Sequence, residues 1–483
     1  LDGVAVSGEA LAEQAGSQEM PSGLSRDERV AWLRPTWGEF ADRHWAFAEE
    51  YLRDLGLLDA GLKHYCIAHH LAHAASAFRL SGLEDACVVT VDGKGDGSSA
   101  TIYRGHADGR LRLLRRSTAR NSLGSFYQAA TEALGFVPVD GEYKTMGLAA
   151  LGSSDGHSNP FERAVWVDNG KFRSTFSWSF RKFNEVYPDR AVPNPLGSVE
   201  QADELAEQLA VHSRERFAFF AQEHCEQNLL EYVRTALHLA DCRNLVCAGG
   251  VMLNVKANAL IDESLNPAGF FVFPDSADSG LAAGAAMEAL YQEGWHRRTA
   301  RFGNPYLGHG FTAQEIENSI SRGRQTHGVV AERATPAEIA RRLADGTVIG
   351  SFQGRMEVGP RALGNRSVLA DPRSASVKDR INLLLKGREP FVPFAPILLE
   401  SEAPKYWNGT VEHRYMTFAV EASDYAQRAV PAVVHIDGTM RPQVISEEWN
   451  PWMASVLREF KALTGEGLLV NTSFNRHGQP IVG

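Results

Sequence analysis

Cysteine is scarce in this chain of 483 residues, with only five: Cys66, Cys87, Cys225, Cys242 and Cys247. No two of them form a CxxC pair, which argues against a zinc ribbon and against a disulfide framework. A reducing, cytoplasmic setting fits that usage. No apolar run approaches the ~20 residues of a membrane span. The opening stretch LDGVAVSGEALAEQ lacks the pattern of a secretory signal. Internal repeats and low-complexity tracts are missing too. Positive charge is in deficit, 49 Lys and Arg against 59 Asp and Glu, for a net charge of -10. That balance argues against a general nucleic-acid binder, although a small basic pocket can still lie within an acidic shell. Neither a membrane nor a nucleic acid is expected as a partner. The start at Leu1 and the abrupt end at IVG are read as those of a trimmed version of something longer.

What is present is an ordinary globular composition, 44% hydrophobic and 22% charged. The length favours two or three domains, and a domain of ~300 residues can bury roughly 75% of its unfolded surface without staples. From Asp85 to Leu114, ACVVTVDG, SSATIYRG and RLRLLRR read as three strands of a meander. Glu200 to Leu239 has apolar residues at helical spacing, giving one long or broken amphipathic helix. NLVCAGG and GFFVFP read as short strands, each followed by a helix, VMLNVKANALI and SGLAAGAAMEALYQ. Strands alternating with helices predict an α/β core. The Pro/Gly-rich GNPYLGHGF marks a boundary near Gly303, so domains 1–302 and 303–483 are expected.

Three histidines open HHLAHAASAF. In a helix His69 and His73 share one face, four apart, the spacing two imidazoles need to grip one ion, while His70 points elsewhere; surface or core histidines without a ligand are the plainer reading of HxxxH alone. The protease motif HExxH fails, because position 70 is His. In VDGKGDGSSAT, Asp92 ends an apolar strand and enters a glycine turn. A calcium loop fails there, because Lys94 and Tyr103 stand where ligands are needed. Close approach of backbone N–H groups to a phosphate, or an ordinary tight hairpin, explains the glycines. CAGGVMLN and PDSADSGLAAGAA each place a turn of small residues before a helix, the arrangement that presents a helix N-terminus to an anion. Asp278, in the second of these turns, is a further carboxylate candidate. GRMEVGPRALGNRSVLADPR sets four arginines among glycines around a rigid GPRALG core, which suits phosphate better than a solvated basic turn.

Together, HHxxHAASA, VDGxGDG, GSFYQAATEALGF, DGEYKTMGLAALG, GGVMLN and DSADSGLAAGAA occur in the order of the NodU/CmcH-type O-carbamoyltransferase family, and KGREPFVPFAPI, DGTMRPQ and NTSFNRHGQPIV follow at that family's spacing. The chain resembles the family from about His64 to Val482. The resemblance implies an actin-like, sugar-kinase-like (ASKHA) ATPase-type domain and a smaller YrdC-like α/β domain. It implies an ATP-dependent O-carbamoyltransferase: carbamoyl phosphate and ATP give carbamoyl adenylate, whose carbamoyl group passes to a hydroxyl of a small antibiotic-type acceptor. His69, His73, Asp92 and Asp278 would hold one divalent metal, Fe(II) by the resemblance; the donor set alone suits iron, manganese or zinc. Mg could accompany ATP. Gly249, Gly250 and Asn254 would line the nucleotide pocket, with Gly93 and Ser98 close to phosphate. Lys144 is a candidate for the same site or a solvent-facing lysine. Arg361, Lys386, Arg441 and Ser473 would hold the phosphates and the carbamoyl group, and Asp92, Lys386 and Arg361 are the catalytic candidates. A homodimer is compatible with the resemblance.

Two departures accompany it. Val392 stands in REPFVPFAP where many relatives have an arginine that contacts carbamoyl phosphate; either a neighbouring cation such as Arg388 substitutes or affinity for that substrate is reduced. No Gly-His-Asp type motif, the family's source of a general base, precedes His64; PTWGEFADRHWAFAEEYLRDLG reads as helix, and His44 as a packing or surface residue. An actin-like small-molecule kinase or ATPase is the first rival, though it has no need of the arginine-rich half. The hydrogenase-maturation carbamoyltransferase carries acylphosphatase and cysteine zinc motifs that this chain lacks. A non-catalytic nucleotide-binding partner is the third reading.

Overall fold

The computed structural model describes residues 3–8, 53, 63–175, 180–181, 198–199, 202–295, 300–409, 412–476 and 478–482. The helix expected between positions 35 and 56, with His44 in it, lies outside the described residues apart from position 53. The chain divides into two compact units, Leu1–Phe302 and Gly303–Gly483, each mixed α/β.

In the first unit, β1 (Gly3–Gly8) pairs in parallel with β2 (Lys63–Ala68), which runs directly into α1 (His69–Arg79). The main sheet holds β3 (Ala86–Gly95), β4 (Ser98–Gly105), β5 (Leu111–Thr118), β6 (Asn244–Ala248) and β7 (Gly269–Val272) in the order β7-β6-β3-β4-β5. β7, β6 and β3 are mutually parallel, and β3, β4 and β5 form the antiparallel meander. The central strand β3 is buried along its whole length except Lys94, which is why it reads as an unbroken apolar run rather than an alternation. Its ladder with β4 is regular from Ala86 to Val91, shifts register, and closes again at Gly95 opposite Ser98. Irregularities of this kind re-aim side chains, and this one releases Asp92 at the end of the strand.

The longer helices described around the sheet are α2 (Leu123–Ala133), α3 (Arg214–Ala240), α4 (Val255–Leu265) and α5 (Leu281–Gln292), and a shorter one, Glu142–Ala149, carries Lys144. The long α3 begins at Ser213, whose hydroxyl takes the Arg216 N–H, and ends at Asp241 in the left-handed region. The expected helix from Glu200 is broken, with short turns at Ala202–Ala206 and Glu207–Ala210 before α3. Helix α1 crosses α5 through small residues, Ala72 against Leu281, Ala285 and Ala289. At the crossing, a methyl on Gly284 would collide with the Ala72 carbonyl oxygen.

The second unit is a five-stranded sheet built from β8 (Ile349–Phe352), β9 (Arg366–Ala370), β10 (Ala395–Leu399), β11 (Gln443–Ile445) and β12 (Leu468–Ser473), in the order β8-β9-β12-β10-β11. All neighbours are antiparallel except β10 and β11. Period-2 alternation divides its strands between two cores. Leu369, Ile397 and Leu469 face helices α6 (Pro336–Ala344) and α7 (Pro451–Thr464), packing on Leu343, Met453, Leu457 and Phe460. Ala370, Leu398, Leu468 and Val470 face the other way, onto Tyr406, Trp407 and Phe394.

Candidate functional site

The first unit gathers His69, His73, Asp92 and Asp278 so that one ligand atom from each lies within 4.8 Å of all the others. Local folding explains each position. Helix α1 begins at His69, and its 3.6-residue period stacks His73 one turn later on the same face. Asp92 comes from the end of β3, and Asp278 from the single turn that precedes α5. His69 Nε2 lies 3.0 Å from Asp92 Oδ2 and 3.5 Å from Asp278 Oδ1; His73 Nε2 lies 3.4 and 3.5 Å from the same two atoms. The two imidazole Nε2 atoms face each other at 3.2 Å. Ligands about 2.1 Å from a tetrahedral metal stand about 3.4 Å apart, so this donor set fits one ion at its centre. Both histidines and Asp92 are buried, whereas the Asp278 side chain is 55% exposed, which leaves one side open to solvent.

The electrostatics follow from that packing. Burial alone would depress the His73 pKa, but Asp278 and Asp92 outweigh it and raise it to about 9. Burial pushes Asp92 upward, yet the two histidines hold it well below the usual carboxylate range. His70 turns away, its Nδ1 2.7 Å from Thr90 Oγ1, and burial beside His69 and His73 keeps it neutral by lowering its pKa.

Around Asp92 the glycines act at close approaches. Gly250 donates its N–H to Asp92 Oδ1 at 3.1 Å, and a methyl there would come within 2.9 Å of the same oxygen. Gly249 adopts φ 99° and lies against Val91. The N–H of Gly250, a residue that the resemblance places in the lining of a nucleotide pocket, is thus engaged by the Asp92 carboxylate. Asn254 caps α4 through Ala257 N–H and exchanges two 3.0 Å hydrogen bonds with Gln222, so its side chain also has structural partners. Gly93 accepts the Ser122 hydroxyl on its carbonyl at 2.5 Å and packs against the Gln128 amide; Ser98 is buried at the start of β4. Lys144 is not solvent-facing: it is buried, with its ammonium 5.5 Å from the Phe136 ring centroid.

In the second unit the GPRALG stretch is a built loop, not a solvated one. The buried Glu357 carboxylate accepts the N–H groups of Leu363, Asn365 and Arg366 at 2.8, 2.8 and 3.0 Å. Tyr306 and Gln443 both donate to the Leu363 carbonyl, and Asn471 donates to that of Ala362. Three of the four arginines have structural tasks. Arg355 holds the Leu307 and Gly308 carbonyls, Arg366 is buried on the carbonyls of Gln353, Gly354 and His309 beneath Phe352, and Arg373 chelates Asp371. The fourth, Arg361, lies close enough to Arg441 to depress its pKa, as does Arg388, although burial is the larger cause. Arg441 Nε is buried without a hydrogen-bond partner among the described residues. Lys386 donates to Ser473 O, Ser473 Oγ and both oxygens of Asn475, and burial together with Arg388 pushes its pKa down to about 7. Cations that lower one another's pKa, with one N–H lacking a partner among the described residues, have the chemistry to hold an anion. Val392 is buried and apolar, and Arg388, with its Nε on Asn382 Oδ1 and its guanidinium over Phe394, is the cation beside it.

Sequence reasoning missed Glu357, Asn475 and Asp96. Asp96 was visible as the second aspartate of VDGKGDG, but the failure of a calcium loop removed the only reason to consider it.

The structure thus holds two candidate sites, a His/Asp cluster whose donors could hold a metal ion and a cluster of cations suited to an anion, a combination compatible with a group-transfer class of protein. Comparison with known proteins gives the particular family. A model described as "Carbamoyltransferase N-terminus" matches residues 51–287, and one described as "Carbamoyltransferase C-terminus" matches residues 340–483. The chain belongs to the carbamoyltransferase family. It is 34% identical over 422 residues to nodulation protein NolNO of Sinorhizobium fredii, covering 86% of this chain and 60% of that one. An uncharacterised protein of Methanocaldococcus jannaschii is 32% identical over 438 residues, covering 86% of this chain and 69% of its own length. The chain thus spans less than two thirds of NolNO. Among solved structures, full-length HypF in its phosphate- and nucleotide-bound form matches 49% of this chain and 44% of its own at 15% identity and a TM-score of 0.27, too low to carry an argument.

Proposed function

We propose that the chain catalyses ATP-dependent transfer of a carbamoyl group to a hydroxyl of a small natural-product acceptor, in two half-reactions. The observation that carries this reading is the coexistence, on one chain of this family, of the His69, His73, Asp92 and Asp278 cluster and the Arg361, Arg388, Arg441 and Lys386 cluster. The second unit takes the YrdC-like role. There water cleaves carbamoyl phosphate to carbamate and phosphate, and a carbamate oxygen then bonds to the α-phosphorus of ATP as pyrophosphate leaves. Arg361, Arg441 and Lys386 offset the crowding of anionic oxygens without having to reorganise, because Glu357 and Ser473 hold their loops beforehand. Arg388 supplies the charge that Val392 does not.

The first unit takes the ASKHA-type role. The acceptor hydroxyl attacks the carbamoyl carbon of carbamoyl adenylate, the C–O bond to the phosphate breaks, and AMP leaves. His69, His73, Asp92 and Asp278 would hold a divalent ion, Fe(II) by family resemblance, which when bound supplies Lewis-acid and template chemistry beside the adenylate phosphate. Gly93, Gly249 and Gly250 lie at the Val91–Asp92 end of β3, and together with Ser98, Asn254 and Lys144 they would shape the nucleotide side of the site. The test is incubation with carbamoyl phosphate, ATP, Fe(II) and a panel of hydroxylated natural products, read by mass spectrometry. The expected result is an acceptor gaining one carbamoyl group while nucleotide appears as AMP. Formation of ADP would support an actin-like kinase or ATPase instead.

A further inference from the structure

Histidines that hold a metal ordinarily donate their second ring N–H to a carbonyl or carboxylate, which fixes the ring's direction. Here the Nδ1 atoms of His69 and His73 are buried and have no hydrogen-bond partner among the described residues. Something else must aim His69, and the VDGKGDG turn supplies it three times over. Asp92 Oδ2 takes His69 Nε2. Gly95 lies flat under the imidazole, so close that a methyl on Gly95 would fall on the ring itself. Asp96 accepts the His69 backbone N–H at 2.6 Å through Oδ2.

The last contact matters because α1 has no cap of its own. The residue before it is Ala68, which offers no side-chain acceptor, and no acidic residue lies in its first turn. An N-terminal N–H left without an acceptor is costly, and a carboxylate there is favoured by the helix dipole. Asp96 does this from the β3–β4 turn, buried, and in the left-handed region at φ 51°. That conformation is unfavourable for most side chains but is tolerated by Asp, Asn and Gly. We infer that Asp96 is a positioning residue for the metal centre: it pins the first residue of α1 to the turn that carries Asp92, so that His69 and Asp92 are registered to each other before any ion arrives. This role rests on the metal reading proposed above, and it extends that reading to a residue outside the donor set.

The test is Co(II) titration of the metal-free protein, followed by ligand-field absorption, with Asp96→Gly and Asp96→Asn. Glycine accepts the same backbone conformation, so Asp96→Gly removes the carboxylate without adding strain, while asparagine keeps an oxygen for the His69 N–H. Asp96→Gly should bind Co(II) about 10- to 100-fold more weakly, with altered bands. Asp96→Asn should stay near wild type in both. A cap of purely structural value would lower the melting temperature of Asp96→Gly and leave Co(II) affinity and spectrum unchanged, which overturns the role assigned to Asp96 alone. Equal loss in Asp96→Asn overturns the hydrogen-bond basis of that role. Wild-type protein that takes up no Co(II) overturns the metal reading and this inference with it.

Discussion

Lys386 shows how much of this protein's chemistry is decided one side chain at a time. Its pKa falls from 10.5 to about 7 because it is buried beside Arg388. The sign is set by the folded value lying below the unfolded one. The charged ammonium weakens the fold at pH below about 7, and that effect fades as pH rises toward 10.5. A bound phosphate favours the charged form, so at pH 8 binding must take up a proton and affinity must fall as pH climbs above 7. Calorimetry of inorganic phosphate binding in buffers of different ionisation enthalpy should show proton uptake at pH 8 and little at pH 6, and Lys386→Met should abolish the uptake. At this scale the sequence was informative about residue type and silent about partners. It displayed four arginines around GPRALG, but Arg355, Arg366 and Arg373 are occupied by carbonyls and by Asp371. Charge is legible in a sequence, whereas its satisfaction depends on chain segments that meet only in the fold.

At the scale of elements, the His69, His73, Asp92 and Asp278 cluster depends on how closely α1 and α5 approach. Gly284 permits that approach, and Asp278 lies in the turn just ahead of α5, so the crossing also sets where the fourth donor stands. Gly284→Ala should destabilise the protein by about 1–3 kcal/mol, the usual cost of overpacking, and should weaken Co(II) binding. Denaturant unfolding and metal titration of the same variant check both; unchanged values would show that the helices can part without disturbing the site. The elements themselves were largely legible. Periodicity marked α3, and continuous apolar character marked β3 and β6, because burial on one face or two leaves those patterns directly in the residues; α5 was read from its run of small residues after a strand and turn. The pairing of His69 with His73 was equally legible, since helical spacing alone puts them together. Their convergence with Asp92 and Asp278 was implied only by family resemblance, because no periodicity links a strand end to a distant turn. Asp96 escaped for a different reason: its task is to hold a backbone N–H, and a sequence carries no mark of which amides lack acceptors.

On the scale of the whole molecule, the proposed function joins two chemistries on one chain. Each of the two units has its own sheet and its own candidate site, and the family models match one segment in each. The second unit begins at Gly303, the first residue of GNPYLGHGF, where proline and glycine interrupt both periodicities. The central claim is that the second unit makes carbamoyl adenylate. The most direct measurement is exchange of labelled pyrophosphate into ATP by the purified chain, which requires reversible adenylate formation and no acceptor. Exchange that depends on carbamoyl phosphate, and that is lost in Lys386→Met, is the predicted result. A folded chain that binds both substrates yet exchanges no label, or that releases ADP, would contradict it.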